Sequence, residues 1–540
     1  MGYKQKDIEL ILDNHDRYWE QQRSDLRRFK NVYECRFWQQ GYSIGGYGTS
    51  ENNMISIQTA EGYGYVESYI ASLFSKNPAI VLKKGIRNMG NREKSKAVVN
   101  NFLLRARQAI ENAARMALIY PMAFFKLVPQ DDVQLYDRII PVAVAPWEII
   151  VDRDAPSWDR QRYMGHKYWM PLDEAKSKWS AKFEGERKDD FFDPIAGEDN
   201  SVGGSTLDDH VLIFELYSID DDYLCFYCPH LQRENKILEQ GYVPFRDASG
   251  KPVAPIVPLY FNRIPSKPMD GYSAVRRVYD QLFEINIIRS FQANAVRKAS
   301  RQYIVKSGVF DEESMAQVTS GIDGLFVEVA EDNLDGIIRA FPHNPMPPEL
   351  SKYYQDVKGD LDTGSILAPF TRGTATKATA SEIAALAAYS ASEIGRLARE
   401  RDYAIELLAK IYLCCLATFI EEEVPSIINL EGSAEIVKAD DLRGDFEFFA
   451  SDQSSTPMSE SIAKRQLLEN IPTLTALGVP PDKLLKEVVR VLNLPEDFVE
   501  VILEEGKGRL SGIQMETETP LQSAVMGASP EKIAPFLPTG

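Results

Sequence analysis

The chain has 540 residues, of which 44% are hydrophobic, 26% charged and 10% aromatic, a balance that excludes wholesale disorder and suggests three or four domains. A net charge of −18 speaks against broad phosphate neutralisation of the kind a repressor or nuclease uses. It is neutral towards a protein that encloses DNA without gripping it. Five scattered cysteines, Cys35, Cys225, Cys228, Cys414 and Cys415, are too few for a disulfide framework and point to a reducing compartment.

The polar start has no signal-peptide core, and apolar runs such as 411–420 are about half the length a membrane helix needs. A soluble chain is expected. Residues 4–40 read as a long helix, broken by the glycine cluster at 41–48. A second helix spans 57–75, where Ala60, Tyr63, Gly64, Glu67, Ile70, Ala71 and Phe74 recur at helical spacing, and Pro78 stops it. A third runs over 92–120 and Pro121 closes it.

The period then changes to that of strands at 123–128, 138–144, 149–151 and 163–170. Residues 183–208 are polar and rich in Gly, Ser and Asp, which predicts a mobile loop. A hairpin is expected at 210–219 and 223–228, turning at Asp220, Asp221 and Asp222. A proline-rich passage fills 243–268.

Helical pattern returns over 271–300. Short strands at 303–306 and 324–329 follow, and then a helix from the prolines at 345–348 to residue 363. Residues 364–380 read as a flexible stretch ahead of a long helix that reaches 423. Strands at 427–437 and 446–450 precede a helical end over 457–503, and the last 35 or so residues read as loosely ordered. The class is α+β, predominantly helical.

Catalytic motifs are weak. Gly250-Lys251 and Gly506-Lys507 are followed by Pro252 and Gly508, so neither completes a Walker phosphate loop. Cys225 and Cys228 supply half a zinc site with no second half nearby, and strand alternation sends them to opposite faces, which favours plain hairpin cysteines. Asp152 and Asp154 follow an apolar strand, where nuclease carboxylates sit, but they also fit a strand-ending turn, the favoured reading. Five unclustered histidines give an imidazole-based site little to build on. No catalytic residue, metal site or cofactor is expected.

The sequence TRGTATKATASE at 371–382 is a loop of small residues leading to a helix that Thr379 or Ser381 can cap. Apolar positions then recur through Ile383, Leu386, Ile394, Leu397, Ile405, Leu408, Ile411 and Cys415. The charges of EIGRLARER at 393–401 predict a helix that is wet on one side.

The order of segments carries more than any one of them. YGYVESYIASLFSKNP at 63–78 comes first, then Pro146-Trp147-Glu148 and VDRDA at 151–155. Next come Pro258-Leu259-Tyr260-Phe261 and Gly271-Tyr272-Ser273, with Gln281 and Asn286 on the helix that follows, and last Ala378-Thr379-Ala380-Ser381-Glu382-Ile383. From about residue 5 to about 505 this order resembles the portal proteins of tailed bacteriophages, the head-to-tail connectors.

The resemblance implies a wing at 1–270 and a first stem helix at 271–300. It implies a clip at 301–345, a second stem helix at 346–363 and a returning wing at 364–455 that holds the long helix, 380–423. A crown at 456–505 and a flexible tail at 506–540 follow. It implies a ring of about twelve copies around a channel at the unique capsid vertex. Viral double-stranded DNA is packaged and ejected through that channel. Terminase, tail adaptors, the major capsid protein and scaffolding protein are the implied partners, and assembly occurs in the host cytoplasm, away from membranes.

Thr371, Arg372, Gly373, Thr374, Thr376, Lys377 and Thr379 would form the tunnel loop that projects into the channel. Arg289, Arg297 and Lys298 are candidate channel contacts on the first stem helix. Arg276 and Arg277 precede them, and for most of the five a solvated face or salt bridges between subunits is the favoured account over DNA contact. The alternatives are another virion ring component, such as a tail adaptor, or a packaging nuclease or ATPase.

Overall fold

The computed structural model describes residues 3–40, 56–74, 79–84, 91–130, 139–185, 209–301, 303–305, 338–340, 348–365, 380–420, 424–430, 433–444 and 446–450. The chain divides into two compact units, Met1–Pro457 and Met458–Gly540, where length alone suggests three or four. The second unit lies outside the described residues, and with it the helices expected at 457–503 and the tail. So do residues 186–208 of the expected loop, the strand expected at 324–329 and the stretch 366–379.

In chain order the elements are α1 (Gln5–Tyr33), α2 (Glu61–Leu73), β1 (Ile80–Lys84), α3 (Arg92–Ile119), β2 (Ala123–Pro129), β3 (Ile139–Val144), β4 (Ile149–Val151), β5 (Tyr163–Pro171), α4 (Leu172–Trp179), β6 (His210–Ser218), β7 (Tyr223–Tyr227), β8 (Ile237–Gly241) and β9 (Ile256–Leu259). Then come β10 (Arg263–Ile264), β11 (Lys267–Gly271), α5 (Tyr279–Arg301), β12 (Tyr303–Val305), β13 (Ile338–Ala340), α6 (Pro348–Gly364), α7 (Ala380–Phe419), β14 (Val424–Leu430), β15 (Ser433–Val437), α8 (Ala439–Leu442) and β16 (Phe446–Ala450). The mixture of long helices and antiparallel sheets is an α+β fold. Among the described residues no helix is long and apolar enough to cross a membrane.

Helix α1 buries Ile8, Leu12, His15, Trp19, Leu26, Phe29 and Val32, a single stripe at helical spacing. It ends at Tyr33, short of the expected residue 40, because Cys35 takes a left-handed conformation (φ 56°) that turns the chain out of the helix. Phe37–Gln40 follows as a 3-10 turn. Helix α3 starts where the Asn91 side chain accepts from the amides of Glu93 and Lys94. It runs through the largest core cluster and stacks Phe102 on Tyr412 of α7, with ring centroids 3.8 Å apart.

Two antiparallel sheets flank this helical core, a three-stranded one in the order β3-β2-β9 and a five-stranded meander β4-β5-β6-β7-β8. Strand β9 forms within the proline-rich passage that carried no strand expectation. It lies at the sheet edge opposite β2, where the missing amide of Pro258 costs little. Helix α4 and strands β1 and β8 were likewise not expected. The hairpin β6–β7 turns as expected, with Asp222 left-handed at φ 53°.

Lys126 of β2 is 3% exposed, and its Nζ donates to Glu215 Oε2 of β6 at 2.6 Å, joining the two sheets. The Tyr217 hydroxyl donates to the other Glu215 oxygen. Burial raises the Glu215 carboxyl, but Lys126 and these hydrogen bonds outweigh it and hold the group below its ordinary range.

Candidate functional site

Helices α5 and α6 form an antiparallel pair. At one end a methyl group on Gly364 would stand 3.3 Å from Val278 Cγ1, and further along the Arg289 guanidinium lies 6.0 Å from the Tyr354 ring centre. Beyond α5, β12 pairs antiparallel with β13, Tyr303 opposite Ala340.

The base of α5 is fixed by polar side chains on its buried face. Asn286 Oδ1 accepts from the Thr59 amide at 2.8 Å, and Ser290 Oγ accepts from the Ile57 amide at 2.8 Å. Spaced four apart, the two residues hold the extended chain ahead of α2 against α5. Val357 and Leu361 of α6 are buried in the same core, and Lys358 reaches Glu61 at 3.3 Å.

Of the residues singled out in the sequence, Thr371, Arg372, Gly373, Thr374, Thr376, Lys377 and Thr379 lie outside the described residues. Arg297 and Lys298 lie on the last turns of α5, and their side chains are outside the description. Arg289 is exposed and donates to Gln292 Oε1 at 3.2 Å. Arg276 lies 3.7 Å from Asp25 of α1, and Arg277 beside it is exposed.

Asp152 is buried and receives a bidentate bond from Arg162, with Nη2 2.9 Å from Oδ1. That pairing, above all, holds its carboxyl below the usual range. The Asp154 amide also donates to Asp152 Oδ1 at 3.2 Å, the strand-ending turn expected. Cys225 packs against Ile8 and Leu12, and Cys228 against Met170 and Ala175, so the two thiols point into different apolar clusters. Burial pushes both up to about 11. No group of three His, Cys, Asp or Glu side chains that could hold a metal ion occurs among the described residues.

Helix α7 is wet on one side as expected, with Arg399 and Tyr403 exposed. Within that charged stretch, however, Arg401 is only 3% exposed. Its Nη1 donates to the carbonyl of Leu73, the last residue of α2, and its Nε to Asp402 at 2.9 Å. A cation there meets carbonyls that no helical amide can satisfy. The signal lay in the spacing: Ile394, Leu397, Arg401, Ile405 and Leu408 fall on one stripe, so Arg401 sits in the buried row. Arg396 is also engaged, donating to the Phe261 carbonyl and to Asn262 Oδ1, both at 3.0 Å. Arg263, next along, pairs with Glu400 at 3.0 Å. The long helix is thus tied to α2 and to the β9–β10 connection by three arginines that sequence reasoning did not single out.

A cavity of about 320 Å³ opens between the loop Arg246–Asp247–Ala248–Ser249, the α7 residues Lys410, Leu413 and Cys414, and the segment around Arg443. Asp247 Oδ1 accepts from the amides of Ser249 and Lys251, each at 2.8 Å, so its charge is satisfied by its own loop. Burial holds the Cys414 thiol up at about 11.

No protein-family model matches the chain, and no curated protein does. Among solved structures it is similar to a chain from the neck of an empty GTA particle computed with C6 symmetry. The TM-score is 0.40 and the identity 12%, and the match covers 78% of this chain and 91% of that one.

Proposed function

We propose that this chain is a ring-forming structural component of a phage-like virion, and within that class the portal subunit. The observation that carries the reading is the antiparallel pair α5–α6. It leaves the body after β11, is joined by β12 and β13 beyond, and returns ahead of the long helix α7. This is the order the resemblance to portal proteins requires, with α5 and α6 as stem helices and 301–345 as the clip. The body before α5 and the segment around α7 are then the wing, and 456–505 the crown.

On this reading the chain contributes a passive channel, and the energy for DNA movement comes from a terminase docked at the clip. The engagement of Asp152 by Arg162 supports a structural role for that carboxylate. Tail adaptors take the terminase's place after packaging. The loop 371–379 is the tunnel loop, and Arg372 and Lys377 meet passing phosphates transiently.

Mass photometry and electron microscopy of the purified chain test this. Rings of about a dozen subunits with a central pore are expected. A chain that stays monomeric at every concentration, or that turns over ATP or cleaves DNA with added metal, overturns it. Replacing Arg372 and Lys377 by Glu should lower DNA packaging while rings still form. Loss of ring formation would assign the two residues to the subunit interface instead.

A further inference from the structure

The cavity between the loop at 246–249, α7 and the segment around Arg443 has a preformed wall, an apolar floor and a cationic rim. The wall is a closed turn between β8 and β9. Gly250 is left-handed there (φ 82°), the Asp247 amide donates to the Lys251 carbonyl at 3.0 Å, and the Gly250 amide donates to the Asp247 carbonyl at 2.9 Å. Arg246 is held in that wall by Asp222, with Nη2 2.8 Å from Oδ2.

The floor consists of Leu413, Leu442 and Phe446, all buried, with Cys414 beside Leu413 on α7. At the rim, Lys410 lies one turn before Cys414 and is exposed. Arg443 is exposed too, and its Nη2 reaches the Ala417 carbonyl at 3.4 Å, which leaves most of the guanidinium fork for another acceptor. The lining thus holds the cations Arg246, Lys410 and Arg443 against one acid, Asp247. That acid is already engaged, by the amides of Ser249 and Lys251 and by the Ser249 hydroxyl at 2.7 Å. In a chain with 79 acidic and 61 basic residues, the local balance is reversed.

We propose that this cavity captures a short acidic segment of a partner protein, with carboxylates on Lys410 and Arg443 and one apolar side chain on the floor. The inference goes beyond the ring reading and does not depend on it. Charge selects the acid: a body of net charge −18 repels such a segment over most of its surface and attracts it here. The floor selects a peptide over a nucleic acid. A phosphate backbone has nothing apolar to bury against Leu413 and Leu442, and Phe446, 7% exposed, is too covered to stack a base. The volume of about 320 Å³ is at the low end for ligand pockets and suits one bulky side chain with the backbone around it.

The test uses the full chain and a fluorescein-labelled octapeptide carrying one phenylalanine among glutamates, followed by fluorescence anisotropy. Saturable binding that weakens with salt is expected. Lys410→Glu and Arg443→Glu should each raise the Kd by about tenfold or more. Alanine in place of the peptide's phenylalanine should do the same. The bound peptide should also slow alkylation of Cys414, read by mass spectrometry, and leave the exposed Cys35 unprotected. Both rim residues are exposed, so thermal unfolding of the variants should match the parent. Should Arg443→Glu fail to fold through its contact with Ala417, Lys410→Glu and the protection of Cys414 carry the test. No saturable binding, binding that neither variant weakens, or a single-stranded oligonucleotide bound through Lys410 and Arg443 in the peptide's place overturns the proposal. So do variants that alter self-assembly but not peptide binding, which would assign the rim to a contact between copies.

Discussion

The guanidinium of Arg401 donates to the carbonyl of Leu73, so one buried side chain of α7 closes the C-terminus of α2. Its neighbour Asp402 takes the Nε and Nη2 bonds and balances the charge. Arg401→Met keeps the apolar stem but removes the donor to the Leu73 carbonyl and two bonds to Asp402. It should cost about 1–3 kcal/mol in denaturant unfolding. Arg401→Lys keeps the charge without the planar fork and should recover part of that. A Met variant as stable as the parent would refute the role.

The buried pair of Lys126 and Glu215 joins two sheets, and its energetics are asymmetric. Lys126→Met alone leaves a buried carboxylate without its cation, still bonded by Tyr217, and should destabilise by about 3–5 kcal/mol. Adding Glu215→Gln removes the stranded charge and should restore much of the loss. A double-mutant cycle by urea unfolding measures the coupling. Strictly additive effects would show that the pair does not act as a unit.

His15 predicts a pH dependence. Its Nε2–H donates to the Trp147 carbonyl at 2.8 Å, and burial lowers its pKa to about 3. The unfolded chain therefore binds the extra proton first. Stability from the neutral ring is complete above about pH 6.5 and is lost as pH falls towards 3. By pH 5 the loss is about 2 kcal/mol. His166, lowered to about 3 by burial and then by Lys126, acts in the same direction. His15→Gln keeps a donor for Trp147 and should flatten the decline between pH 7 and 5, a window above the titration of ordinary carboxylates. An unchanged slope would count against this assignment.

Two glycines give opposite outcomes. A methyl on Gly271 would lie 1.8 Å from the Pro121 carbonyl oxygen, so Gly271→Ala must displace backbone. It should cost about 1–3 kcal/mol or more. A methyl on Gly359, within α6, would meet nothing within 4 Å, and Gly359→Ala should stabilise by about 0.5–1 kcal/mol. Differential scanning calorimetry of the two variants checks both signs.

The helices were legible because their apolar rows are long. α3 and β16 match expectation almost to the residue, and α7 begins where the Thr379-Ala380-Ser381 cap suggested. Strand β9 was hidden by its proline, since nothing in the local sequence says that residues 256–259 sit at an edge. Strand β1 is hard to read alone because its partner lies near the far end of the same unit. Arg401 of α7 was read as part of a wet face for a different reason. Composition marks it as polar, while its row on the helix, with Ile394, Leu397, Ile405 and Leu408, marks it as buried, and in the fold the row prevails. The candidate channel residues at 371–379 were read from segment order, a signal that no single contact carries.

The ribbon of β1 and β16 sets Ile80 opposite Ala450, so a strand made early in synthesis stays single until almost all of the first unit has left the ribosome. Val81 and Phe449, opposite each other on its outer face, remain about 40% exposed even when paired. Completion of this ribbon is therefore timed from the far end of the unit. A chain cut short before residue 446 lacks β16 and leaves β1 unpaired, an edge open to capture by another chain.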